Sequence, residues 1–286
     1  MKLKEVDEES VDALYRSWKN TKGRYYPKMD KSEFIHRYFD DPVGKSRCFL
    51  VEKRLGAFLL RSYGNHHLMY DWLGSRETHI FEEVMGSIRS LNEIEGVISL
   101  FHYFGRDDYF EDWKREGFTA DERAPYHILM RKEIQDEKER EKRRIEVEKL
   151  STSKHERMED LAAIIAEISP RFSKADMMEG LGWELEGDMD YYLALRDGKT
   201  VGYSGIEVRE LFTGKTMYWI KELGVHPEER RKGIATELLE HTINRLKEKG
   251  GKEIYIDTHS ENPAKKLYEK HGFQVSEKSP NLRYEL

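Results

Sequence analysis

Residues 223–239 read LGVHPEERRKGIATELL, and this stretch decides the fold. It begins as the end of an apolar strand, residues 217–225, and it ends as the first turns of an amphipathic helix. Between the two lies a polar loop in which three consecutive cations precede a glycine, namely Arg230, Arg231, Lys232 and Gly233. The pattern predicts a strand, a tight loop and a helix in direct succession.

The start of this helix has the properties of an anion site. The first turn of a helix carries unpaired amide N–H groups and the positive end of the helix dipole. Gly233 has no side chain to block a phosphate, and Ala235 is small. Cations at a helix N-terminus cost about 0.3–1 kcal/mol each unless an anion offsets them. We interpret the loop as a pyrophosphate site, with solvated surface cations as the alternative.

Composition limits the class of protein. The chain has 286 residues, which allows two domains, and its 49 Lys and Arg against 55 Asp and Glu give a net charge of −6. This balance argues against a general nucleic-acid binder. The single cysteine, Cys48, excludes an intrachain disulfide and is expected to be a buried, inert thiol rather than a nucleophile. Because no apolar run approaches the roughly 18 residues of a membrane span, we expect a soluble cytoplasmic protein with no membrane partner.

A charged run divides the sequence into two halves. In residues 131–144, RKEIQDEKEREKRR, only Ile134 and Gln135 are uncharged. Such a run predicts a solvated linker or an exposed helix, and a nucleic-acid-binding arm is the less favoured alternative. We therefore place the domains at residues 1–132 and 143–286, with a charged linker at 133–142.

The two halves carry similar patterns. In the second half the patterns predict a strand at 144–150, a helix at 155–168, a hairpin at 191–208 and a strand at 217–225. They continue with a helix at 233–249, a strand at 252–259, a short helix at 262–271 and two final strands at the segments FQV and RYEL. The first half repeats the order from residue 48 to residue 118 in weaker form, which indicates a duplication. It lacks a counterpart of HPEERRKGIA, so the second half should hold the chemistry. The fold class predicted is α/β.

Other ligand motifs fit the sequence poorly. FTGKT, residues 212–216, ends like a phosphate-binding loop, but Arg209 stands at the first glycine position and no helix follows. The histidines form no helical pair and have no cysteine partners, so we expect no metal site.

Two segments resemble signatures of one enzyme family. VHPEERRKGIATELL resembles the acyl-CoA-binding motif of the GNAT superfamily of acetyltransferases, with Arg230, Gly233 and Ala235 at its signature positions. NPAKKLYEKHGF, residues 262–273, resembles the second signature, a short helix that carries a tyrosine and ends in Gly-Phe. The resemblance covers about residues 143–286. It implies two GNAT-like domains, each a mixed, mostly antiparallel twisted sheet flanked by helices, of which the N-terminal one is degenerate and lacks the pyrophosphate loop.

The resemblance also implies acetyl-CoA as co-substrate and assigns residues to it. The strand backbone would bind the pantetheine arm and the loop amides the pyrophosphate. Asn262 departs from the usual spacing, because Glu261 holds the expected place, and helix capping is an equally good role for Asn262. The predicted cofactor-binding residues are Leu223, Gly224, Val225, Arg230, Arg231, Lys232, Gly233, Ile234, Ala235, Thr236 and Asn262.

In this family an amine attacks the thioester directly in a ternary complex. Glu222 is the candidate base and Tyr268 falls at the position of the usual thiolate-protonating tyrosine. The alternatives are an ordinary polar strand residue for Glu222 and a packing aromatic for Tyr268. The implied activity is N-acetyl transfer to an amine of a small molecule or a protein. A non-catalytic acyl-CoA-binding or regulatory module is the alternative.

The acceptor is the part that the sequence leaves open. Acidic residues in the segment 171–190 could attract a cationic acceptor, although a solvated loop is the favoured interpretation; they are Glu184, Glu186, Asp188 and Asp190. A homodimer is compatible with the sequence, which does not fix the oligomeric state or the role of the first half.

Overall fold

The chain forms two seven-stranded mixed sheets flanked by helices. The computed structural model describes residues 2–4, 8–20, 28–40, 45–50, 57–63, 66–71, 78–90, 94–101, 110–134, 145–169, 172–187, 189–211 and 213–286. Each sheet is antiparallel except for one parallel pair near its middle. The predicted α/β architecture of two twisted sheets with flanking helices is confirmed.

The first sheet contains the strands of the N-terminal half up to residue 120 and the last strand of the chain. Its order is β1-β2-β3-β4-β5-β14-β6. The elements are β1 Lys2–Lys4, α1 Glu8–Asn20, α2 Lys31–Phe39, β2 Lys45–Leu50, β3 Ala57–Tyr63, β4 His66–Asp71, α3 Thr78–Arg89, β5 Val97–Phe101, α4 Phe110–Arg115, β6 Thr119–Ala120 and, from the C-terminus, β14 Leu282–Glu285.

The second sheet holds the remaining strands. Its order is β13-β7-β12-β11-β10-β9-β8. The elements are β7 Tyr126–Glu133, β8 Glu146–Lys149, α5 His155–Ile168, α6 Lys174–Glu186, β9 Met189–Arg196, β10 Lys199–Glu210, β11 Thr216–Val225, a 3₁₀ turn Pro227–Glu229, α7 Ile234–Glu248, β12 Glu253–His259, α8 Lys265–Lys270 and β13 Gln274–Pro280.

The local patterns of the second half form the elements that they predict. The hairpin of β9 and β10 turns at Asp197 and Gly198, whose φ angles of 51° and 76° suit the tight turn expected there. Helix α7 buries its apolar face completely at Leu238, Leu239 and Leu246, which places the helix against β10 and β11. The torsion angles of the turn and the burial of the α7 leucines thus agree with the turn and the apolar helix face that the sequence predicts.

The two sheets exchange a strand. β7 precedes the charged linker in sequence, yet it pairs with β12 and β13 of the second sheet. β14 ends the chain, yet it pairs with β5 and β6 of the first sheet. RYEL was expected to end the sheet of the second half, and that expectation is wrong. The boundaries 1–132, 133–142 and 143–286 stay a prediction, but neither segment contains a whole sheet.

The charged run begins within a strand rather than a linker. Arg131, Lys132 and Glu133 belong to β7, whose preceding residues Ile128, Leu129 and Met130 are buried. Arg131 pairs with Glu253 at 3.1 Å, and the Lys132 ammonium donates to the His271 carbonyl oxygen at 2.8 Å. Arg131 pairs with β12 on one side and β13 on the other, and Lys132 and Glu133 pair with β12, which holds these charged residues in the sheet. Residues 135–144, the rest of the run, lie outside the described residues.

Candidate active site

The parallel pair of the second sheet separates along its length. β11 and β12 pair only at Tyr218–Ile220 with Ile254–Ile256. Beyond this point β11 continues to Val225 along β10, while β12 continues to His259 along β7. The backbone edge at Leu223, Gly224 and Val225 therefore lacks a β12 partner, and a cleft opens toward the N-terminus of α7. This edge is the one expected to bind the pantetheine arm.

The loop at the end of this cleft has an unusual backbone. Arg231 and Gly233 both have positive φ angles, 63° and 88°. A left-handed arginine is uncommon, and such strained residues concentrate at functional sites. α7 begins at Ile234 with Gly233 as its N-cap and without a side-chain cap. The first-turn amides of Ile234, Ala235 and Thr236 thus face outward without intrahelical partners.

Gly233 leaves open space in front of this first turn. A Cβ added at Gly233 would meet no atom within 4 Å. The glycine is therefore not required by packing inside the protein. Its positive φ favours glycine, and its bare surface lets a ligand approach the backbone. This is the arrangement that an anion site at a helix N-terminus needs.

The three cations of the loop differ in their contacts. The Arg230 Nε donates to the Val225 carbonyl oxygen at 3.2 Å and so ties the loop to the strand end. Lys232 pairs with Glu229 at 2.9 Å, and Arg196 pairs with the same carboxylate. Among the described residues Arg231 has no ion pair or hydrogen bond from its side chain, so its guanidinium is the one available to an anion.

Two glycines, Gly202 on β10 and Gly224 on β11, allow close packing between the strands and α7 beside the cleft. Of the two, Gly202 is not among the predicted site residues. A Cβ at Gly202 would lie 2.9 Å from the Gly224 carbonyl oxygen and 3.2 Å from Ile234. A Cβ at Gly224 would collide with the ring of Tyr203. Close packing therefore requires both glycines. Gly202 could have been suspected only from an isolated glycine in a strand.

Glu222 lies in the part of β11 that pairs with β10 but not with β12. Gly205 pairs with Glu222 and Ile206 with Ile220, so Lys221 forms a bulge between them. The Glu222 Oε2 atom is buried without a hydrogen-bond partner. Burial raises the pKa of Glu222 to about 8, and the nearby Glu184 carboxylate raises it further, while Lys221 opposes the rise. A carboxyl group with this pKa suits proton transfer near neutral pH.

Tyr191 connects the two carboxyl groups. Its hydroxyl donates to Glu184 at 2.5 Å, and it also interacts with Glu222. Glu184 lies on α6 and Tyr191 on β9, so three different elements converge on the candidate base. The short hydrogen bond fixes one carboxylate beside the other.

Tyr268 lies on α8 with 5% of its surface exposed. Its ring packs against Phe273 with 6.2 Å between ring centroids. Burial raises the pKa of Tyr268 to about 12, and the negative charge of Asp257 adds to this rise. Asp257 is the first residue of β12 beyond the pairing with β11, so the tyrosine lies close to the opening of the cleft. At neutral pH the phenol keeps its proton and can donate it.

Asn262 uses both ends of its amide within the protein. Its side-chain oxygen accepts from the Ala264 amide at 2.9 Å, and its Nδ2 donates to the Thr258 hydroxyl at 2.9 Å. These bonds tie the start of α8 to the end of β12. They close the turn that precedes α8, whose N-cap is Ala264 without a side-chain hydrogen bond. The predicted capping of α8 by Asn262 is therefore wrong, and the cofactor contact stays a prediction.

A cavity of about 710 Å³ lies on the side of Glu222. Its floor comes from β10 and β11, one wall from α6 and β9, and the other wall from α2 of the N-terminal half. The lining residues are Ser32, Glu33, Ile35, His36, Arg37, Tyr38, Asp40, Trp183, Glu184, Glu186, Gly187, Met189, Glu207, Arg209, Lys221 and Glu222. The volume falls in the range of pockets that hold small molecules.

Contacts between the halves hold α2 in this position. Arg37 donates to the buried Glu207 at 2.8 Å, and the charge of Arg37 helps hold the pKa of Glu207 far below its usual range despite burial. The Trp183 indole donates to the His36 carbonyl oxygen at 3.1 Å, and the two rings stack 5.0 Å apart. α2 is therefore fixed as part of the cavity wall.

The acidic residues predicted near the acceptor divide into two groups. Glu184 and Glu186 line the cavity. Asp190 instead pairs with Lys149 at 2.5 Å and Lys249 at 3.0 Å. Asp188 and the side chain of Cys48 lie outside the described residues.

The described part of the chain contains neither a metal-ligand cluster nor a membrane-spanning helix. Within it, no three His, Cys, Asp or Glu side chains are grouped closely enough to hold a metal ion. None of its helices has the length and apolarity that crossing a membrane requires.

The family comparison agrees with this geometry. Residues 156–273 match the model of the Acetyltransferase (GNAT) family, and the match includes the cleft, the loop and Tyr268. The second half carries a GNAT acetyltransferase domain. The resemblance of the two sequence signatures to this family is therefore confirmed. No curated protein is significantly similar in sequence to the chain.

Solved structures extend the likeness to both halves. A tandem GNAT protein from the clavulanic acid biosynthesis pathway, solved without AcCoA, has 13% identity and a TM-score of 0.69, with 99% of this chain and 98% of that chain covered. A GNAT-family acetyltransferase from Colwellia psychrerythraea has 13% identity and a TM-score of 0.62, with all of both chains covered. A GCN5-related N-acetyltransferase from Sphaerobacter thermophilus has 13% identity and a TM-score of 0.60, with 99% and 95% covered. The tandem fold therefore spans the whole chain.

Proposed function

We propose that the protein transfers an acetyl group from acetyl-CoA to a primary amine by direct attack in a ternary complex. The observation that carries the proposal is the cleft between β11 and β12, which ends at a left-handed loop and an uncapped helix start. The open backbone edge of β11 therefore leads directly to the anion site at the start of α7. A pantetheine arm with its pyrophosphate has the matching order of groups.

The residues along the cleft have the chemistry that this co-substrate needs. The backbone of Leu223, Gly224 and Val225 would hydrogen-bond the pantetheine arm. The amides from Arg231 to Thr236 and the Arg231 guanidinium would hold the pyrophosphate, with Lys232 adding positive charge. Arg230 would act through the loop, because its guanidinium already holds the strand end.

The chemistry needs one base and one acid. Glu222, through water, takes the proton of the ammonium group, so that the amine nitrogen can attack the thioester carbonyl carbon. The carbon–nitrogen bond forms, the carbon–sulfur bond breaks, and Tyr268 gives its proton to the departing thiolate. With a pKa of about 8, Glu222 gains its base form as the pH rises through that value, so the rate should rise with it.

Turnover of acetyl-CoA by the full-length protein tests the proposal. Release of free thiol in the presence of a panel of amines, and acetylated amine among the products, are the expected results. Binding of acetyl-CoA without transfer to any amine would favour the non-catalytic acyl-CoA-binding module instead. A cytoplasmic location and a homodimer remain predictions from the sequence.

A matched pair of variants tests whether the loop before α7 binds the pyrophosphate. Gly233→Glu places a carboxylate where the pyrophosphate would lie and should abolish acetyl-CoA binding. Gly214→Glu is the control, since Gly214 also has a positive φ, 76°, and open space around its Cβ, but lies in the turn between β10 and β11. Normal binding by Gly233→Glu, or equal loss in both variants, would contradict the assignment.

A further inference from the structure

The cavity beside Glu222 has an uneven distribution of charge. Its interior holds three carboxyl groups, Glu184, Glu207 and Glu222, and three cations, Arg37, Arg209 and Lys221. The interior is therefore close to balanced, and Glu207 is already held by Arg37 and Arg209.

The charged residues at the mouth of the cavity are all acidic. The exposed lining residues are Ser32, Glu33, Asp40, Glu186 and Gly187. Three of these five carry carboxylates, and none is a cation. Glu33 also caps α2 through the Asp30 amide, whereas the Glu186 side chain has no ion pair or hydrogen bond among the described residues. Asp40 lies 4.0 Å from the Nδ1 atom of His36, which also lines the cavity and is a cation only when protonated. Glu33 and Glu186 have no ion pair among the described residues, so negative charge dominates the mouth.

An independent feature deeper in the same cavity points to a ligand. The Oε2 atom of Glu222 is buried and accepts no hydrogen bond from the described residues. An orphan acceptor of this kind is costly unless a ligand group supplies the missing donor. An ammonium group at Glu222 satisfies it, which leaves the mouth carboxylates for a second positive group.

We infer that the acetyl acceptor is at least dicationic, with its reacting amine at Glu222 and a second cationic group between Asp40 of the first half and Glu186 of the second. This inference rests on the proposed acetyl transfer and specifies its substrate class. It also gives the first half a function, because Asp40 and the α2 wall take part in selecting the acceptor.

Linear diamines of graded length, each compared with the monoamine of equal carbon number, test the inference on the full-length protein. Free-thiol release gives kcat/KM for each amine. We expect the best diamine to exceed its monoamine by about tenfold, as two charged contacts would give. Equal kcat/KM for diamines and monoamines would overturn the second cation site while leaving acetyl transfer intact.

Charge-removing variants locate the second site. Glu186→Gln and Asp40→Asn should each lower kcat/KM for the diamine about three- to tenfold, with the monoamine and the KM for acetyl-CoA unchanged. Glu179→Gln is the matched control, since Glu179 is exposed on the same helix as Glu186 but lies outside the cavity lining. Equal losses for both amines, or a loss in the control, would overturn the assignment.

Calorimetry separates failure of this inference from failure of the proposed function. If no amine is acetylated, titration of the full-length protein with the diamine and the monoamine still measures the cation site. Tighter binding of the diamine would then retain the site and reject the transfer reaction. Equal or absent binding without turnover would overturn both.

Discussion

The parallel strand pairs of the two sheets occupy the same place in the strand order but pair over different lengths. β4 and β5 pair from His66 with Val97 to Tyr70 with Phe101, which is nearly the whole of β4. β11 and β12 pair at three positions and then separate. In the described parts of both sheets, the first pair therefore stays together along its length, whereas the second pair opens. Within the described residues, only the second sheet offers a free backbone edge at this point.

The short helices that follow these strand pairs, α4 and α8, also differ between the two halves. Trp113 on α4 and Tyr268 on α8 each lie four residues before a left-handed glycine, Gly117 or Gly272. Trp113 is fully buried between Phe81 and Phe118, whereas Tyr268 carries a phenol near the cleft. At the position of the proposed acid in the second half, the first half therefore has a core residue. This difference supports the proposal that the chemistry belongs to the second half.

The largest expected effect comes from the candidate base. Glu222→Gln should lower kcat by about 10³-fold, because the variant cannot accept a proton. The KM for acetyl-CoA should stay unchanged, because the backbone rather than this side chain would bind the co-substrate. Steady-state kinetics with a responsive amine measure both. A kcat near the wild-type value would move the base elsewhere.

The exchanged strand gives the next largest effect. Leu282 is fully buried in the core of the first sheet although it belongs to the last strand of the chain. Leu282→Ala should cost about 3 kcal/mol of unfolding free energy, measured by denaturant titration. Val275→Ala, at a 46% exposed position on β13, should cost much less. Equal losses would contradict the packing of β14 in the first sheet.

The candidate acid ranks third. Tyr268→Phe should lower kcat by about 10²-fold with little change in binding of acetyl-CoA. Tyr255→Phe removes a buried hydroxyl that bonds Glu253 outside the site, and it serves as the control. If both variants keep the wild-type kcat, Tyr268 is a packing residue like Trp113.

The smallest effect concerns the neighbour of the base. Glu184 raises the pKa of Glu222, so Glu184→Gln should lower that pKa and move the rising limb of the kcat/KM profile from about pH 8 to lower pH. The rate at pH 6 should then increase relative to the rate at pH 9. Glu179→Gln should leave the profile unchanged. If the rising part of the kcat/KM profile does not shift in Glu184→Gln, a group other than Glu222 controls it.

The raised pKa of Glu222 should also make the stability of the protein depend on pH. The pKa of Glu222 is higher in the folded than in the unfolded chain, so its stabilising contribution is complete below the unfolded value of about 4.5. The contribution is lost as the pH rises through about 8. The Tm of the wild type should therefore fall relative to that of Glu222→Gln between pH 5 and pH 9. A constant difference would mean that Glu222 titrates normally.

The sequence predicted most of the second half because its information is local. The cations before Gly233, the apolar period of α7 and the Asp197-Gly198 turn each specify structure within a few residues. The sequence selects Glu222 because it lies on the strand just before the backbone predicted to bind the cofactor, and Tyr268 by its position in the second family signature. Their burial and pKa values could not be predicted, since Glu184, Tyr191 and Asp257 reach them from other elements.

The contacts between the halves were not predictable from local pattern. The charged run predicts a linker that includes Arg131, Lys132 and Glu133. Backbone pairing nevertheless holds these residues in β7, and side-chain charge gives no information about such pairing. Nothing near Arg37 or His36 in sequence indicates Glu207 or Trp183, which are more than 140 residues away. Such long-range pairings depend on the assembled fold, and the acceptor cavity depends on them.

Titration of the full-length protein with CoA by calorimetry tests the central claim most directly. The difference between the two strand pairs predicts one binding site per chain, present in the wild type and in Gly214→Glu and lost in Gly233→Glu. Two sites per chain, or one site that survives Gly233→Glu, would contradict the assignment of the co-substrate to the second half alone.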